Sequence, residues 1–402
     1  MTLLEPAPVS SGCHALAGSP PTLKVFCVIN GLGPGGAERS LAELLPHYLE
    51  AGIDVRFVCL RHRDIGSEEA VRALGCQIEF IGVKLGRAIW RLRRLIRRVQ
   101  PDVVHTTLFE ADLVGRVAAA GTGVPVLTSL VNTTYEPVRL LDPNVRSRRL
   151  RVVQAIDGWT SRHLTAHFHA IGDAVADSGV KSLGIKREKV TVVRRGRSGE
   201  GMGSLHPQRR LQARQALQLT ESDFVVVNVA RQEYQKGQEH LLRAVAKLPA
   251  KYSNLRVVVA GRPGHATPLL ERLQRELSLK DRCRFLGHRA DVPEILAAAD
   301  LFVFPSLYEG LGGALIEAMA LGLPIVASDI PALREVVEDG VNADLVPPGD
   351  PDALGKAIVN LIADPQRRQR YALRSRERFE STFTIEAVAE QMIALYKTLL
   401  QK

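Results

Sequence analysis

Two carboxylates with a glycine-rich segment between them offer the clearest chemistry in the sequence. Glu309 and Glu317 are separated by seven residues, which include Gly310, Gly312 and Gly313. A carboxylate oxygen accepts hydrogen bonds from neighbouring sugar hydroxyls, and a glycine-rich helix start presents backbone N–H groups to a phosphate. The segment therefore favours a ligand that carries both a sugar and a phosphate. Taken alone, Glu317 is equally compatible with a glutamate on a helix surface.

Two cations lie five residues apart on a second segment. Arg231 and Lys236 follow one predicted strand and precede the next predicted helix. Arginine can bind a phosphate bidentately, and lysine acts as a point charge. On a single strand-to-helix loop the two side chains can converge on one diphosphate. The spacing is equally compatible with two solvated surface cations.

A third segment, residues 31–36, is rich in glycine and follows the first predicted strand. It contains the spacing GxGxxG, and its glycines let the backbone approach a phosphate at a helix N-terminus. A dinucleotide site would also need an acidic residue at the end of the second strand. The sequence has Arg61 there, which suits a 2′-phosphate and keeps an NADP-dependent oxidoreductase open. The other alternative is a plain tight turn.

Two further features bear on metals and on single side chains. Asp350-Pro351-Asp352 has the DxD spacing of a metal site, but it lies in a Pro-Gly turn where an Asp is a natural helix cap. The cap interpretation, together with the cation pair, predicts catalysis without a metal. His105 ends a predicted strand on the cleft side, although a lone histidine is more often structural.

The elements that must position these residues alternate between strand and helix. A continuous apolar run at 23–29 is typical of a strand buried on both faces, and the alternation restarts at 223–229. Such alternation predicts right-handed crossovers and mostly parallel sheets. The predicted fold class is α/β, with two Rossmann-like halves facing across a cleft and a C-terminal helix. Ligands in such folds bind outside the carboxyl ends of the strands.

These patterns divide the chain of 402 residues into five parts. The first part is rich in Pro, Ser, Gly and Ala, and it lacks the basic and apolar regions of a signal peptide. The predicted parts are a disordered N-terminal extension (1–22), a first Rossmann-like domain (23–200), a linker (201–216), a second Rossmann-like domain (217–382) and a terminal helix packing back toward the first domain (383–402).

Composition limits the class of protein and its partners. The chain is 46% hydrophobic and 24% charged, which excludes a disordered or fibrous protein. Its net charge of +10 favours an anionic partner. The five cysteines are widely spaced without a CxxC pair, which predicts reduced thiols and a cytoplasmic location. No convincing transmembrane segment is present, and no motif favours a nucleic-acid partner.

A basic segment at Arg87–Arg98 has helical periodicity, with Ile89, Leu92, Ile96 and Val99 on one face. It predicts either attraction to anionic lipid on the inner face of the membrane or a solvated arginine-rich face.

Taken together, these motifs resemble the retaining glycosyltransferases of family 4, which have the GT-B fold. The resemblance covers the chain from about residue 23 to its C-terminus. The matching pieces follow the family's order: Gly-Gly-Ala-Glu-Arg at 35–39, Arg231 with Lys236-Gly237, Pro305-Ser306 with Glu309-Gly310, and Glu317.

The resemblance implies an acceptor-side domain at 23–200, a nucleotide-sugar-binding domain at 217–382, and roles for these residues. Glu309, Lys236 and Arg231 would be the catalytic group, with Glu309 at the transferred sugar and both cations on the diphosphate. Glu317 would contact the ribose, and the base would lie near residues 287–289. The implied donor-binding residues are Gly35, Gly36, Arg231, Lys236, Gly287, His288, Glu309, Gly310, Leu311, Gly312 and Glu317.

The resemblance also implies a reaction and its partners. A sugar would pass from a UDP- or GDP-sugar to a glycan or lipid-linked acceptor, with retention of configuration and with no cofactor besides the nucleotide sugar. The sequence departs from the family where Val131 replaces a common His or Arg. We therefore name Asn132 and His105 as acceptor-side or sugar-side residues. The same departure keeps a catalytically inactive nucleotide-sugar-binding protein as an alternative.

Overall fold

The structure is a computed structural model, and it describes residues 23–401. The predicted N-terminal extension, residues 1–22, lies outside the described residues. Within the described chain two parallel sheets are present. The prediction of an α/β protein with two Rossmann-like halves is confirmed.

The first sheet contains seven strands in the order β3-β2-β1-β4-β5-β6-β7, and all of their pairings are parallel. The buried, β-branched sequence of β1 fits its central position, where helices cover both faces. The strand bounds are β1 Leu23–Ile29, β2 Ile53–Cys59, β3 Gln77–Phe80, β4 Val103–Thr107, β5 Val126–Leu130, β6 His167–Ala170 and β7 Val190–Val192.

The second sheet contains six parallel strands in the order β10-β9-β8-β11-β12-β13. Both sheets thus have the doubly wound order in which the chain reverses direction beside the first strand. The reversals lie between β1 and β4 and between β8 and β11. The strand bounds are β8 Phe224–Val229, β9 Leu255–Ala260, β10 Cys283–Gly287, β11 Leu301–Phe304, β12 Ile325–Ser328 and β13 Ala343–Val346.

Helices cover the faces of the two sheets. Those that precede β8 are α1 Gly36–Glu50, α2 Glu68–Ala73, α3 Leu85–Val99, α4 Phe109–Ala119, α5 Ser147–Leu164, α6 Asp173–Leu183, α7 Gly199–Met202 and α8 Pro207–Ala216. Those that follow β8 are α9 Gln238–Ala246, α10 Thr267–Glu276, α11 Val292–Ala297, α12 Gly313–Ala320, α13 Pro331–Arg334, α14 Pro351–Ala363, α15 Pro365–Thr382 and α16 Ile385–Leu400.

The segment predicted as a linker, 201–216, is mostly helical. Helix α8 begins at Pro207, and its Arg214 is buried against the second half. The Arg214 guanidinium donates to the carbonyl of Ala298 and to the carboxylate of Asp300. By these contacts α8 belongs to the second half. The sequence before residue 207 is rich in glycine and serine, and for this reason we interpreted the whole segment as a linker although a helix follows.

Helix α16 crosses back from the second half to the first. The Thr384 side chain caps its start. Its apolar side chains, among them Val388, Met392 and Tyr396, share one core cluster with α1 and with strands β1 and β2. This crossing helix ties the C-terminus to the N-terminal sheet.

Two expectations from the sequence concern the state of the cysteines and the membrane-spanning potential of the helices. Cys27, Cys59, Cys76 and Cys283 are buried free thiols. None of the helices within residues 23–401 combines the length and the apolar character that a bilayer span needs.

Candidate active site

Three loops lie at the junction of the two sheets, which is held by contacts of Thr133 with Glu309 and of Arg39 with Glu317. One follows β1 and contains the glycines at 31–36. The others follow β8 and β11 at the reversal point of the second sheet, and they contain residues 230–237 and 305–312. Ligands of doubly wound sheets bind at such points.

Glu309 and Lys236 form a buried ion pair at the centre of this region. Lys236 Nζ donates to Glu309 Oε1 at 2.5 Å, and Ser306 Oγ donates to the same oxygen at 2.8 Å. Glu309 is only 6% exposed, and a buried charge needs such partners. Since both bonds end on Oε1, Oε2 is the oxygen that can accept from a sugar hydroxyl. The structure thus brings together two of the three residues predicted to be catalytic.

The segment around Glu309 is in contact with the N-terminal half. Thr133 Oγ1 donates to the Glu309 carbonyl at 3.3 Å. A Cβ atom at position 310 would lie 2.3 Å from the carbonyl oxygen of Val131, so this approach requires Gly310. Asn132, predicted on the acceptor or sugar side, lies in the same loop after β5. Its Oδ1 accepts from the backbone N–H of Thr133.

Arg231 lies apart from the ion pair in this structure. Its side chain is 48% exposed, and its nearest carboxylate is that of Glu233, at 3.9 Å. Lys236, by contrast, is bonded to Glu309. The two predicted phosphate cations therefore make different contacts: Lys236 is fixed in the ion pair, whereas the Arg231 side chain is half-exposed.

Glu317 is held by two arginines. Arg197 Nε and Arg39 Nη1 lie 2.8 and 2.9 Å from its Oε1. Arg197 also donates to Ser40 Oγ and to Glu43, both on α1. The carboxylate predicted to bind ribose is thus fixed against the first half through Oε1. The sequence analysis gave no role to Arg39 or Arg197.

Arg195 is a third residue that the sequence analysis missed. Its guanidinium lies beside Gly36: a Cβ atom there would be 3.3 Å from Arg195 Nη1. Burial lowers the pKa of Arg195 to about 10, and the charge of Arg197 acts in the same direction, while the carboxylates of Glu309 and Glu38 oppose it. The group stays protonated at neutral pH. Arg195 follows β7 by three residues, and because this strand was not predicted, no strand end drew attention to the arginine.

The remaining predicted donor residues lie on the same side of the two sheets. Gly35 precedes α1, with the Glu38 carboxylate close above it. Leu311 is buried. Gly312 is the N-cap residue of α12, with a φ of 87° that a glycine adopts without strain. Arg197 lies against the next residue of that helix. Gly287 ends β10, and His288 follows it on the surface.

His105, which we expect on the acceptor or sugar side, lines a small cavity together with Val131 and Arg195. It is buried, with Nδ1 2.6 Å from the Tyr396 hydroxyl and Nε2 2.6 Å from Ser129 Oγ. Ser129 in turn contacts His169 Nδ1 at 2.8 Å. Both ring nitrogens are already bonded, one of them to Tyr396 of α16. These bonds favour a structural role for His105, and its acceptor-side or sugar-side role stays a prediction.

This histidine pair predicts an acid-sensitive stability. Burial lowers the pKa of His105 to about 3 and that of His169 to about 4. The unfolded chain takes up these protons near pH 6.5, whereas the folded chain does so only at lower pH, so stability falls as the pH drops from about 6.5 to 4. Urea midpoints at pH 7 and pH 5 should show a smaller loss for His105→Gln than for the wild type. Exposed His288→Gln is the control, and equal losses in all three proteins would contradict the account.

Glu335 connects the halves at a second point. Its two carboxylate oxygens accept from the backbone N–H groups of Asp173 and Ala174, at 2.8 and 2.6 Å. These are the first residues of α6, so a side chain of the second half caps a helix of the first. A Cβ atom at Gly172 would lie 2.8 Å from Glu335 Oε2, so this glycine leaves room for the carboxylate.

Glu335→Ala should destabilise the contact between the halves. Loss of a helix cap costs about 1 kcal/mol, and an exposed neighbour, Glu338→Ala, provides the control. We expect a lower Tm and a raised donor KM for Glu335→Ala only. Identical Tm and KM values in both variants would show that the cap does not hold the halves together.

The described part of the chain contains no candidate metal site. No group of three or more His, Cys, Asp or Glu side chains within residues 23–401 is arranged to hold an ion. Asp350 accepts from the N–H groups of Asp352 and Ala353 and caps α14, as the sequence predicted.

Comparison with known proteins identifies the class. The model of the glycosyl transferases group 1 matches residues 209–378, and the model of Glycosyltransferase Family 4 matches residues 34–198. The structure superposes on that of Anabaena HepE in complex with UDP-glucose with a TM-score of 0.82, at 22% identity, over 94% of this chain and all of the other. The fold is therefore GT-B, and the protein is a glycosyltransferase that uses a nucleotide sugar. The chain belongs to glycosyltransferase family 4.

Curated relatives agree with this assignment. The alpha-D-kanosaminyltransferase of Streptomyces kanamyceticus is 26% identical over 331 residues, 78% of this chain and 82% of the relative. The UDP-Gal:alpha-D-GlcNAc-diphosphoundecaprenol alpha-1,3-galactosyltransferase of Escherichia coli is 28% identical over 290 residues, 70% and 72% of the two chains. Matches to several other relatives span about half of their length.

Proposed function

We propose that this enzyme moves a sugar from a UDP- or GDP-sugar to a glycan or lipid-linked acceptor with retention of anomeric configuration. The observation that supports this most is the Lys236–Glu309 ion pair, which lies where the two halves meet. It places one positive and one negative group at the point where a sugar diphosphate would lie. The donor would enter between the loop at 31–36 and the start of α12.

The proposed chemistry follows from the charges around this point. Departure of the nucleoside diphosphate builds negative charge on its leaving oxygen, which preorganised cations and helix N–H groups stabilise. Lys236 and Arg195 supply fixed charge from the two halves, and Arg231 would close over the diphosphate from the surface. Glu309 Oε2 would accept from a sugar hydroxyl and face the positive charge that develops at the anomeric carbon.

UDP is the first candidate for the nucleotide. A neighbour of the same fold is described with UDP-glucose, and one relative is named for UDP-Gal and a diphosphoundecaprenol acceptor. In our proposal the base lies near Gly287 and His288, and Glu317 contacts the ribose through Oε2 while both arginines hold Oε1.

The two alternatives are less well supported. Arg61, which suggested a 2′-phosphate site, is ion-paired with Glu110. The inactive-protein alternative rested on Val131, whose carbonyl contacts the Glu309 loop although its side chain is apolar. Neither contact favours a different chemistry over sugar transfer.

A thermal-shift series with UDP, GDP and NADP⁺ tests the proposal. A ligand present at 100 times its Kd stabilises the folded state by about 2.7 kcal/mol. We expect UDP or GDP to raise the Tm and NADP⁺ to leave it unchanged. A shift with NADP⁺ alone would favour the oxidoreductase, and nucleotide binding without any release of UDP or GDP from sugar donors would favour the inactive protein.

We further propose that the first half attaches peripherally to anionic membrane on the cytoplasmic side. On α3, Leu92 and Ile96 pack inward, which matches the predicted face, whereas Trp90 is 59% exposed beside the Arg94 guanidinium. Trp159 on α5 is 54% exposed, and a second basic cluster, at 139–151, runs into the first turns of the same helix. Tryptophan and arginine together suit a lipid headgroup surface.

Vesicle co-sedimentation tests this attachment. The protein should bind vesicles containing phosphatidylglycerol at low salt and release at high salt, because exposed charges are screened. Arg94→Glu/Arg98→Glu should abolish binding, whereas the equally exposed pair Arg272→Glu/Arg275→Glu on α10 should not. Equal binding by both variants would assign the arginines of α3 to a solvated face.

A further inference from the structure

A second concave site lies beside the ion pair, between the two halves. It is a cavity of about 270 Å³, walled by the loop at 143–144 of the first half and by the starts of α9 and α10. Gly237, the residue directly after Lys236, forms part of its wall. The cavity therefore adjoins the proposed transfer centre. The loop after β10, which we assign to the base, is not among its walls.

Among the described residues, a buried amide side chain beside the cavity has one oxygen that lacks a donor. Gln238 lines it and is 1% exposed. Its Nε2 donates at 3.2 Å to Asn228 Oδ1 and to two backbone carbonyls, but within the described residues its Oε1 has no hydrogen-bond partner. A buried acceptor without a donor is costly. This oxygen has almost no exposed surface, so a ligand hydroxyl or ammonium group would reach it after the side chain rotates toward the cavity.

The charged side chains around the cavity also favour a ligand that donates hydrogen bonds. Glu233 and Glu239 both line it. Glu233 Oε2 lies 3.1 Å from His265 Nδ1, and the cations nearest Glu239 lie at 3.7 Å or more. Both carboxylates can therefore still accept hydrogen bonds. They would repel a phosphate or a carboxylate at short range.

The size and the remaining walls favour a single sugar ring. Typical sites for drug-sized ligands have volumes of about 300–1,000 Å³, and this cavity lies just below that range. Tyr234 and the first turn of α10 supply apolar surface, and Asn144 adds an amide from the opposite half. Carboxylates, amides and an aromatic ring around one cavity suit a polyol.

We infer that this cavity binds a sugar unit of the acceptor, and that it selects neutral or amino-bearing sugars over anionic ones. The inference rests on the proposed function, because it names the acceptor class for the same transfer centre. Its position next to Lys236 lets an acceptor enter from the side opposite the base. The acceptor's next unit would then reach the Lys236–Glu309 pair.

Saturation-transfer NMR on the full chain tests the inference with three sugars of the same ring: D-glucose, D-glucosamine and D-glucuronate. Glucosamine and glucose should receive saturation, and glucuronate should not. Glu239→Gln should weaken glucosamine binding about tenfold, as expected for loss of one charge-assisted contact. Asn144→Ala tests the opposite wall on an exposed loop, where a folding defect is not expected, and Glu271→Gln, an exposed α10 glutamate outside the cavity, is the control.

The outcomes separate this inference from the proposed function. Binding of glucuronate as strong as that of glucose, or sugar binding unchanged in both Glu239→Gln and Asn144→Ala, would overturn the subsite. Absence of saturation on all three sugars would also overturn it. UDP and GDP binding is measured separately on the same samples, so a protein that binds glucosamine but no nucleotide would retain the subsite and lose the proposed donor.

Discussion

Glu309→Gln should slow sugar transfer about 100-fold or more while it leaves nucleoside diphosphate affinity nearly unchanged. Removal of one preorganised electrostatic group from an active site has an effect of that order. Glutamine keeps the volume and can still accept from Ser306, but it loses the negative charge that faces Lys236 and the transferred sugar. The nucleotide is unaffected because Glu309 is assigned to the sugar.

Turnover with a confirmed donor and acceptor measures this effect, and calorimetric titration of UDP or GDP measures the affinity. Glu390→Gln, an exposed glutamate on α16, is the matched control. Wild-type turnover in Glu309→Gln would contradict the role of the paired carboxylates. A parallel loss of nucleotide affinity would show that Glu309 contacts the diphosphate and not the sugar.

Lys236→Ala should have an effect at least as large on turnover, about 100-fold or more, and should also weaken diphosphate binding. The lysine is 2.5 Å from Glu309, whose side chain is 7% exposed. Its removal takes away the charge that stabilises the leaving group, and it leaves a buried carboxylate without its cation, which is strongly destabilising.

Thermal unfolding and turnover are therefore measured together, with Lys247→Ala as the control. Lys247 is an exposed lysine of the same half, and it pairs with Asp352 on the surface. The double variant Lys236→Ala/Glu309→Gln should recover Tm but not activity, because it removes the unpaired charge. Full activity in Lys236→Ala would show that this lysine does not bind the phosphates of the donor.

The fold could be predicted from the sequence because its signals are local. Apolar runs such as β1 and β8 are continuous, and their alternation with helices predicts a parallel doubly wound sheet. The short strands β6 and β7 were missed, since β6 contains two histidines and β7 has only three residues. Helix α8 was missed because the sequence before it is rich in glycine and serine.

The site could be predicted only where its residues lie in one segment. Glu309 and Lys236 follow strands on two loops, and the rule that ligands bind at strand ends placed both at the cleft. The contacts of Glu317 with Arg39 and Arg197 join residues separated by more than 100 positions. The cap that Glu335 provides for α6 is similarly long-range. Such pairings depend on how the two halves meet, which no local pattern encodes.

The most direct test of the account is a calorimetric comparison of nucleoside diphosphate with monophosphate, UDP with UMP and GDP with GMP, on the wild type and on Lys236→Ala. The central claim is that Lys236 binds the β-phosphate next to Glu309. The account predicts that for the preferred base the wild type binds the diphosphate at least about tenfold more tightly, as expected for a charge-assisted contact, and that Lys236→Ala loses most of this difference. Equal affinity of the wild type for the diphosphate and the monophosphate would contradict it.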